Sequence, residues 1–226
     1  TWTVNPTAIN QFRATYVRQF GGRINNPTTS LGDLNSNFTI QGDPTLPRLT
    51  VTGYFTGQTS IAGPDAGSDY YGFRDTLSQV RGRHSFKVGA EVSYESIVHD
   101  TLLDNYGVFT FNGTKTGNAY ADFLLGLPSN MTQDAPVRKT DKGWYFSLFA
   151  QDDFRIHPRV TLHLGLRYDV QFPSTDPDDR KLAYVPGQKS QVSPTSPEGL
   201  LFPGDPGIPR GIASTDWNNI APRIGV

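Results

Sequence analysis

The side chains that could carry chemistry in this chain are four histidines and a set of carboxylates, because cysteine is absent from all 226 residues. The absence of Cys removes disulfides, thiol catalysis and cysteine-bound metals together. His84, His157 and His163 are scattered along the sequence and are not predicted to be metal ligands. The sequence offers no Ser-His-Asp arrangement and no phosphate-binding loop. We therefore expect no catalytic residues, no cofactor and no metal, and a protein that is not an enzyme.

Two glutamates and a histidine share one face of a predicted strand. Glu91, Glu95 and His99 follow one another at intervals of four residues. That interval separates Cα atoms by about 13 Å in a strand, which is too far for one ion. These side chains are therefore interpreted as solvated residues of a polar strand face.

Two aspartate groups lie outside or at the ends of the predicted strands. Asp176, Asp178 and Asp179 could hold Ca²⁺ in a loop, since hard cations bind clustered oxygens. A plain acidic loop explains the same residues, and both interpretations stay open. Asp152 and Asp153 precede a His-Pro-Arg turn and are interpreted as rim residues of a sheet, not as a carboxylate pair for acid–base catalysis.

Long strands are the elements that would position these groups. From Val160 to Phe172, seven apolar residues alternate with mostly polar ones, which puts the apolar side chains on one face. Soluble strands average about five or six residues. Thirteen residues at ~3.3 Å each span ~43 Å, and a strand tilted by ~40° still crosses the ~25 Å apolar band of an outer membrane. The pattern predicts a transmembrane β-strand between lipid and a wet lumen.

The same alternation continues in 84–99 and 143–156 and assigns both faces of each strand. The side chains predicted to face lipid are Phe86, Val88, Val92, Leu148, Leu162, Leu164 and Leu166. Those predicted to face an aqueous lumen are Lys87, Glu91, Glu95, Arg167 and Asp169.

Composition supports an all-β chain. Mean hydropathy is -0.44 and no run approaches 18 apolar residues, which excludes a transmembrane helix. A net charge of -1 gives no electrostatic case for nucleic acid. We predict an antiparallel, long-stranded β-barrel segment with one short helix near 118–125, where Asn118–Leu125 has helical character and is stopped by Gly126 and Pro128.

Connection lengths predict how the strands follow one another. Arg81–Arg83 and His157–Arg159 are short turns, whereas the Pro-rich stretch 173–216 is one long loop. Outer-membrane barrels have short periplasmic turns and long extracellular loops. Strand parity then makes Val108–Phe111 and Met131–Val137 wall strands of opposite direction, and it puts Leu49–Phe55 within an extracellular loop.

Four blocks of sequence resemble the barrel of TonB-dependent outer-membrane receptors, most closely the Oar-like subgroup with a carboxypeptidase-regulatory-like domain. They are RGRHSFKVGAEV at 81–92, FTFNGTKTGNAYADFLLGLPS at 109–129, SLFAQDDFRIHPRVTLHLGLRYD at 147–169 and DWNNIAPRIGV at 216–226. The resemblance implies a 22-stranded barrel, an N-terminal plug and energised import through TonB. It also implies that a plug and further strands flank this chain in a parent protein.

We therefore expect residues 1–226 to form a single partial barrel domain in the bacterial outer membrane. The sequence starts in mid-pattern, which favours a piece of a longer polypeptide. The expected partners are outer-membrane lipid, or copies of the chain that pair through open strand edges near Ala8–Gln19 and Trp217–Val226, together with the missing plug and barrel strands. The alternative is a structural protein that assembles edge to edge into an extracellular tube or filament.

Overall fold

The computed structural model describes residues 1–22, 28–40, 46–57, 65–101, 104–135 and 137–226. The chain divides into two compact units. The first comprises Thr1–Gln19, Ser68–Ile97 and Thr140–Val226, and the second comprises Phe20–Gly67 and Val98–Lys139. The prediction of a single domain stays a prediction.

Over the described residues the regular elements are thirteen strands and one short helix. In chain order the elements are β1 (Trp2–Asn5), β2 (Ala8–Gly21), β3 (Arg48–Val51), β4 (Phe55–Gly57), β5 (Asp65–Arg81), β6 (His84–Thr101), β7 (Val108–Phe111), α1 (Ala119–Leu124), β8 (Asn130–Thr132), β9 (Val137–His157), β10 (Val160–Gln171), β11 (Ala183–Tyr184), β12 (Leu200–Leu201) and β13 (Ile220–Gly225). No helix in this described part of the chain is long and apolar enough to span a membrane.

Seven strands form one sheet in the order β1-β2-β5-β6-β9-β10-β13. Each strand lies beside the next wall strand along the chain, as in a meander. β9 and β10 pair antiparallel from Val160↔His157 to Gln171↔Tyr145. The β5–β6 turn contains Gly82 with φ +61, a backbone conformation that tight hairpin turns need and glycine adopts at little cost.

Short and long connections alternate along this meander. Residues 6–7, 82–83 and 158–159 are the short turns, and the long connections fall between β2 and β5, β6 and β9, and β10 and β13. Since neighbouring strands run in opposite directions, the short turns share one end of the sheet. This arrangement is typical of membrane barrels. The predicted antiparallel, long-stranded, all-β fold is confirmed.

The prediction that Val108–Phe111 and Met131–Val137 are two wall strands is wrong. β7 occupies Val108–Phe111, but it pairs with β3 in parallel and with β8 antiparallel in a separate four-stranded sheet. β6 and β9 are direct neighbours in the large sheet, so the chain between them is one long connection. An alternating pattern of four residues is too short to show which sheet a strand joins.

The second unit has its own small core. Its sheet has the order β4-β3-β7-β8 and packs against α1. The buried residues are Val51, Phe111 and Ala119, with Leu49, Phe109 and Phe123 around them. Leu49–Phe55, predicted as a strand within a loop, is divided by a turn between β3 and β4.

Helix α1 confirms the short helix predicted near 118–125. The Asn118 side chain accepts hydrogen bonds from the backbone N–H groups of Tyr120 (2.9 Å) and Ala121 (3.1 Å), which caps the start of the helix. The helix ends before Gly126, whose φ is +66 and whose N–H donates to the Phe123 carbonyl.

The Pro-rich loop folds around a buried aspartate. Asp205 accepts hydrogen bonds from the Ser190 hydroxyl (2.7 Å) and the backbone N–H groups of Gln191 (2.7 Å), Val192 (3.0 Å) and Phe202 (2.8 Å). Burial alone would raise the pKa of Asp205. The hydrogen bonds from the Phe202 N–H, the Ser190 hydroxyl and the N–H groups of Val192 and Gln191 outweigh burial and lower this pKa to about 2. The long loop therefore has a defined hydrogen-bonded centre.

Candidate membrane wall and its two faces

The leucines of β9 and β10 lie on one face of the large sheet. Residues directly opposite each other in antiparallel strands share a face. Leu162 lies opposite Phe154, Leu164 opposite Asp152, Leu166 opposite Ala150 and Tyr168 opposite Leu148. The structure thus brings together the side chains of Leu148, Leu162, Leu164 and Leu166, all predicted to face lipid.

The β6 side chains extend this apolar face. Phe86 and Val88 line a shallow groove of about 620 Å³ together with Leu164, Leu166 and Ile224. Val92 follows on the same side of β6 by strand alternation. The exposed side chains of the predicted lipid face are Phe86, Val88, Val92, Leu148, Leu164 and Leu166, each between 36% and 52% exposed. An apolar surface of this kind needs a lipid or protein cover.

A row of aromatic side chains crosses this face on four neighbouring strands. Tyr16 of β2 lies 4.9 Å from Tyr71 of β5, which lies 6.3 Å from Tyr94 of β6. Tyr94 lies 4.7 Å from Trp144 of β9. Amphipathic rings in such a row are typical of the girdle at a membrane interface.

A second aromatic group lies near the short-turn end of the same face. His84 stacks on Phe154 at 4.2 Å and on Phe86 at 5.2 Å between ring centres. The His84 Nδ1 atom is 2.7 Å from Asp152 Oδ2. In the sequence, His84 is one of several scattered histidines and Asp152 is interpreted as a rim residue. The structure joins the two side chains by a hydrogen bond.

The opposite face is polar. Arg167 donates to both oxygens of Asp169 (3.0 and 2.9 Å) and to the Tyr145 hydroxyl (2.8 Å), which in turn donates to Asp169 (2.6 Å). Lys87, Glu91 and Glu95 alternate with the apolar residues of β6 and therefore lie on its other side. The five side chains predicted to face a lumen thus share the polar face, and their contact with water stays a prediction.

Four further aspartates pair with nearby basic side chains. Asp153 pairs with His163 on the polar face at 2.6 Å. Arg180 lies 2.8 Å from Asp176 and 3.2 Å from Asp178. In the same loop Arg210 lies 2.7 Å from Asp179. The three aspartates considered as a possible calcium site are thus in Asp–Arg pairs in this structure, and these pairs would compete with any bound cation.

Metal binding gives a direct prediction. Within the described ranges, no three His, Asp or Glu side chains are close enough to hold one ion. We expect elemental analysis of the purified, chelator-washed protein to find no stoichiometric Zn, Fe or Cu. One equivalent of any of these metals would contradict this expectation.

Comparison with known protein families gives a match over the whole chain. The model of the outer membrane beta barrel domain family matches residues 1–226. The chain belongs to this family. Family membership supports a general location in the outer membrane. No curated protein and no solved structure matches the chain significantly.

Proposed function

We propose that this chain is a wall segment of a TonB-dependent outer-membrane receptor of the Oar-like subgroup, and that it takes part in transport without catalysis. Family membership supports the barrel, and the four sequence blocks at 81–92, 109–129, 147–169 and 216–226 support the receptor. The apolar and polar faces of the sheet supply the lipid side and the lumen side that such a wall requires.

The spacing of the two aromatic groups carries the membrane-wall part of the proposal. His84 and Tyr94 lie on one strand, ten residues and about 33 Å apart. A strand tilt of about 40° reduces that distance to about 25 Å along the membrane normal, which is the height of the apolar band between the girdles of an outer-membrane barrel. Val88, Ala90 and Val92 fill the interval.

The edges of the sheet support a larger barrel. In the described residues β1 and β13 each have one neighbour, and β1 covers only Ala8–Asn10 of β2. Phe12 and Tyr16 beyond that point are 59% and 55% exposed. Unpaired backbone groups are costly in lipid. We propose that both edges pair with strands outside residues 1–226, because β2 and β13 are not neighbours in this sheet.

The same edges also support the alternative function. A strand edge that meets a different edge on another copy makes a heterologous contact, which produces rings or filaments. Assembly into an extracellular tube or filament would cover the apolar face with protein instead of lipid.

Native mass combined with TonB binding distinguishes the two functions. For the receptor, the outer-membrane polypeptide containing this sequence should be several times heavier than 24.9 kDa and should bind the purified periplasmic domain of TonB. For the filament, the native particle should be a polymer of 24.9 kDa units that does not bind TonB. A full-length receptor-sized protein that fails to bind TonB would also refute the receptor proposal.

A further inference from the structure

Two adjoining hollows on the polar face are lined by basic side chains. The larger, of about 210 Å³, is lined by Arg74, Lys87, Arg167 and Arg223. The smaller, of about 150 Å³, is lined by Arg13 and again by Arg74 and Lys87. Each of the five cations comes from a different strand, and no Asp or Glu is among the described residues that line either hollow. Positive charge is therefore concentrated there in a chain whose net charge is only -1.

Most of these cations have no carboxylate partner among the described residues. Arg167 is paired with Asp169 at 2.9 Å. In the described part of the chain, none of the other four forms an ion pair within 4.0 Å. Arg74 instead lies over the Phe149 ring, 5.7 Å from its centre. Like charges this close repel one another, and a bound anion would relieve the repulsion.

Gly165 and the Phe149 ring also line the larger hollow. Gly165 lies in it without a side chain. The Phe149 ring lies over Gly89, where an added Cβ would be 2.5 Å from the ring. The cations therefore project from a paired sheet rather than from a loop, which limits the entropy lost when a ligand orders them.

We infer that the two hollows bind a small polyanion with at least two phosphate or carboxylate groups. Guanidinium groups match both oxyanions through paired hydrogen bonds. Rings of Arg and Lys in membrane pores select anions and phosphates. Arg74 and Lys87 line both hollows and can bridge two anionic groups of one ligand. An acidic polypeptide fits less well, because a stable protein interface buries about 800 Å² on each partner, which is more surface than two small hollows offer. The inference goes beyond the proposed function, since anion binding requires that the polar face contacts water and does not require TonB.

The first test is titration of the full-length protein in detergent with pyrophosphate at low salt. We expect saturable binding that weakens about ten-fold or more in the double variant R74Q/K87Q, since the variant removes two charged hydrogen-bond donors from the hollows. The control R159Q removes a cation from the exposed 158–159 turn and should leave the affinity unchanged. Heat-dependent gel migration should show that all three proteins are folded.

A second measurement uses no variant. Pyrophosphate should protect Lys87 from acetylation in native membranes, as read by mass spectrometry, whereas the exposed loop residue Lys189 should react equally with and without it. Three results would overturn the inference: no saturable binding by the folded protein, equal binding by R74Q/K87Q, or tight binding of polyglutamate without binding of pyrophosphate. The last result would assign the surface to an acidic polypeptide.

Discussion

Replacing Leu166 by Arg should lower the free energy of unfolding in a lipid bilayer by about 2–4 kcal/mol, the cost of a cation near the midplane of a barrel wall. Leu166 is 52% exposed on the apolar face and lies opposite Ala150 and Pro222, which cannot pair with a charge. Leu164→Arg should cost less, because Leu164 lies opposite Asp152. Urea titration of the protein folded into lipid vesicles measures both changes.

His163→Arg on the same strand is the control for this prediction. His163 lies on the polar face and pairs with Asp153 at 2.6 Å, so an arginine there keeps a carboxylate partner and access to water. Its effect should be much smaller than that of Leu166→Arg. Equal losses for the two variants would show that the leucine face is not in lipid.

The long strands could be predicted from the sequence because their patterns are long. The alternation of Val160–Phe172 determines both the strand and its two faces, and the structure places the strand at Val160–Gln171. β7 shows the limit, because its four residues predict a strand but its parallel partner β3 lies more than 50 residues earlier in the chain. Local alternation carries no information about such a pairing.

The aromatic row and the His–Asp pairs could not be predicted from the sequence. Tyr16, Tyr71, Tyr94 and Trp144 come from four strands, and they form a row only in the observed register, which an alternating pattern alone leaves undetermined. His84 and Asp152 are 68 residues apart. The basic hollows could not be predicted either, because their five cations come from five strands. The period-2 pattern placed only Lys87 and Arg167 on the polar side.

Replacing Asp205 by Ala should open the Pro-rich loop while leaving the large sheet folded. The change removes the acceptor of four hydrogen bonds, three of them from backbone N–H groups, and the carboxylate is only 3% exposed. Buried donors without an acceptor are strongly destabilising. We expect rapid proteolytic cleavage within 173–216 and fast hydrogen exchange at Gln191 and Val192. The more exposed Asp178→Ala should show neither effect.

Acid should open the same loop in the unmodified protein. The pKa of Asp205 is about 2 when folded and about 3.9 in an unfolded chain. The carboxylate therefore stabilises the loop fully above about pH 4, and this stabilisation is lost as the pH falls toward about 2. Asp205→Asn should weaken that pH dependence of the proteolysis rate, and the part that remains should come from other aspartates of the loop, such as Asp176, whose pKa is lowered by its pairing with Arg180. A loop that stays equally protected in Asp205→Ala would show that this aspartate does not hold it together.

Spin labelling along β10 tests most directly whether the sheet is a membrane wall with one lipid face and one wet face. The chain has no native cysteine, so single cysteines can be introduced from residue 162 to residue 169 and labelled without background. In lipid vesicles, labels at even positions should collide mainly with oxygen dissolved in the bilayer, and labels at odd positions mainly with a water-soluble nickel complex. Accessibility without a two-residue period, or with both faces in contact with water, would contradict the membrane-wall assignment.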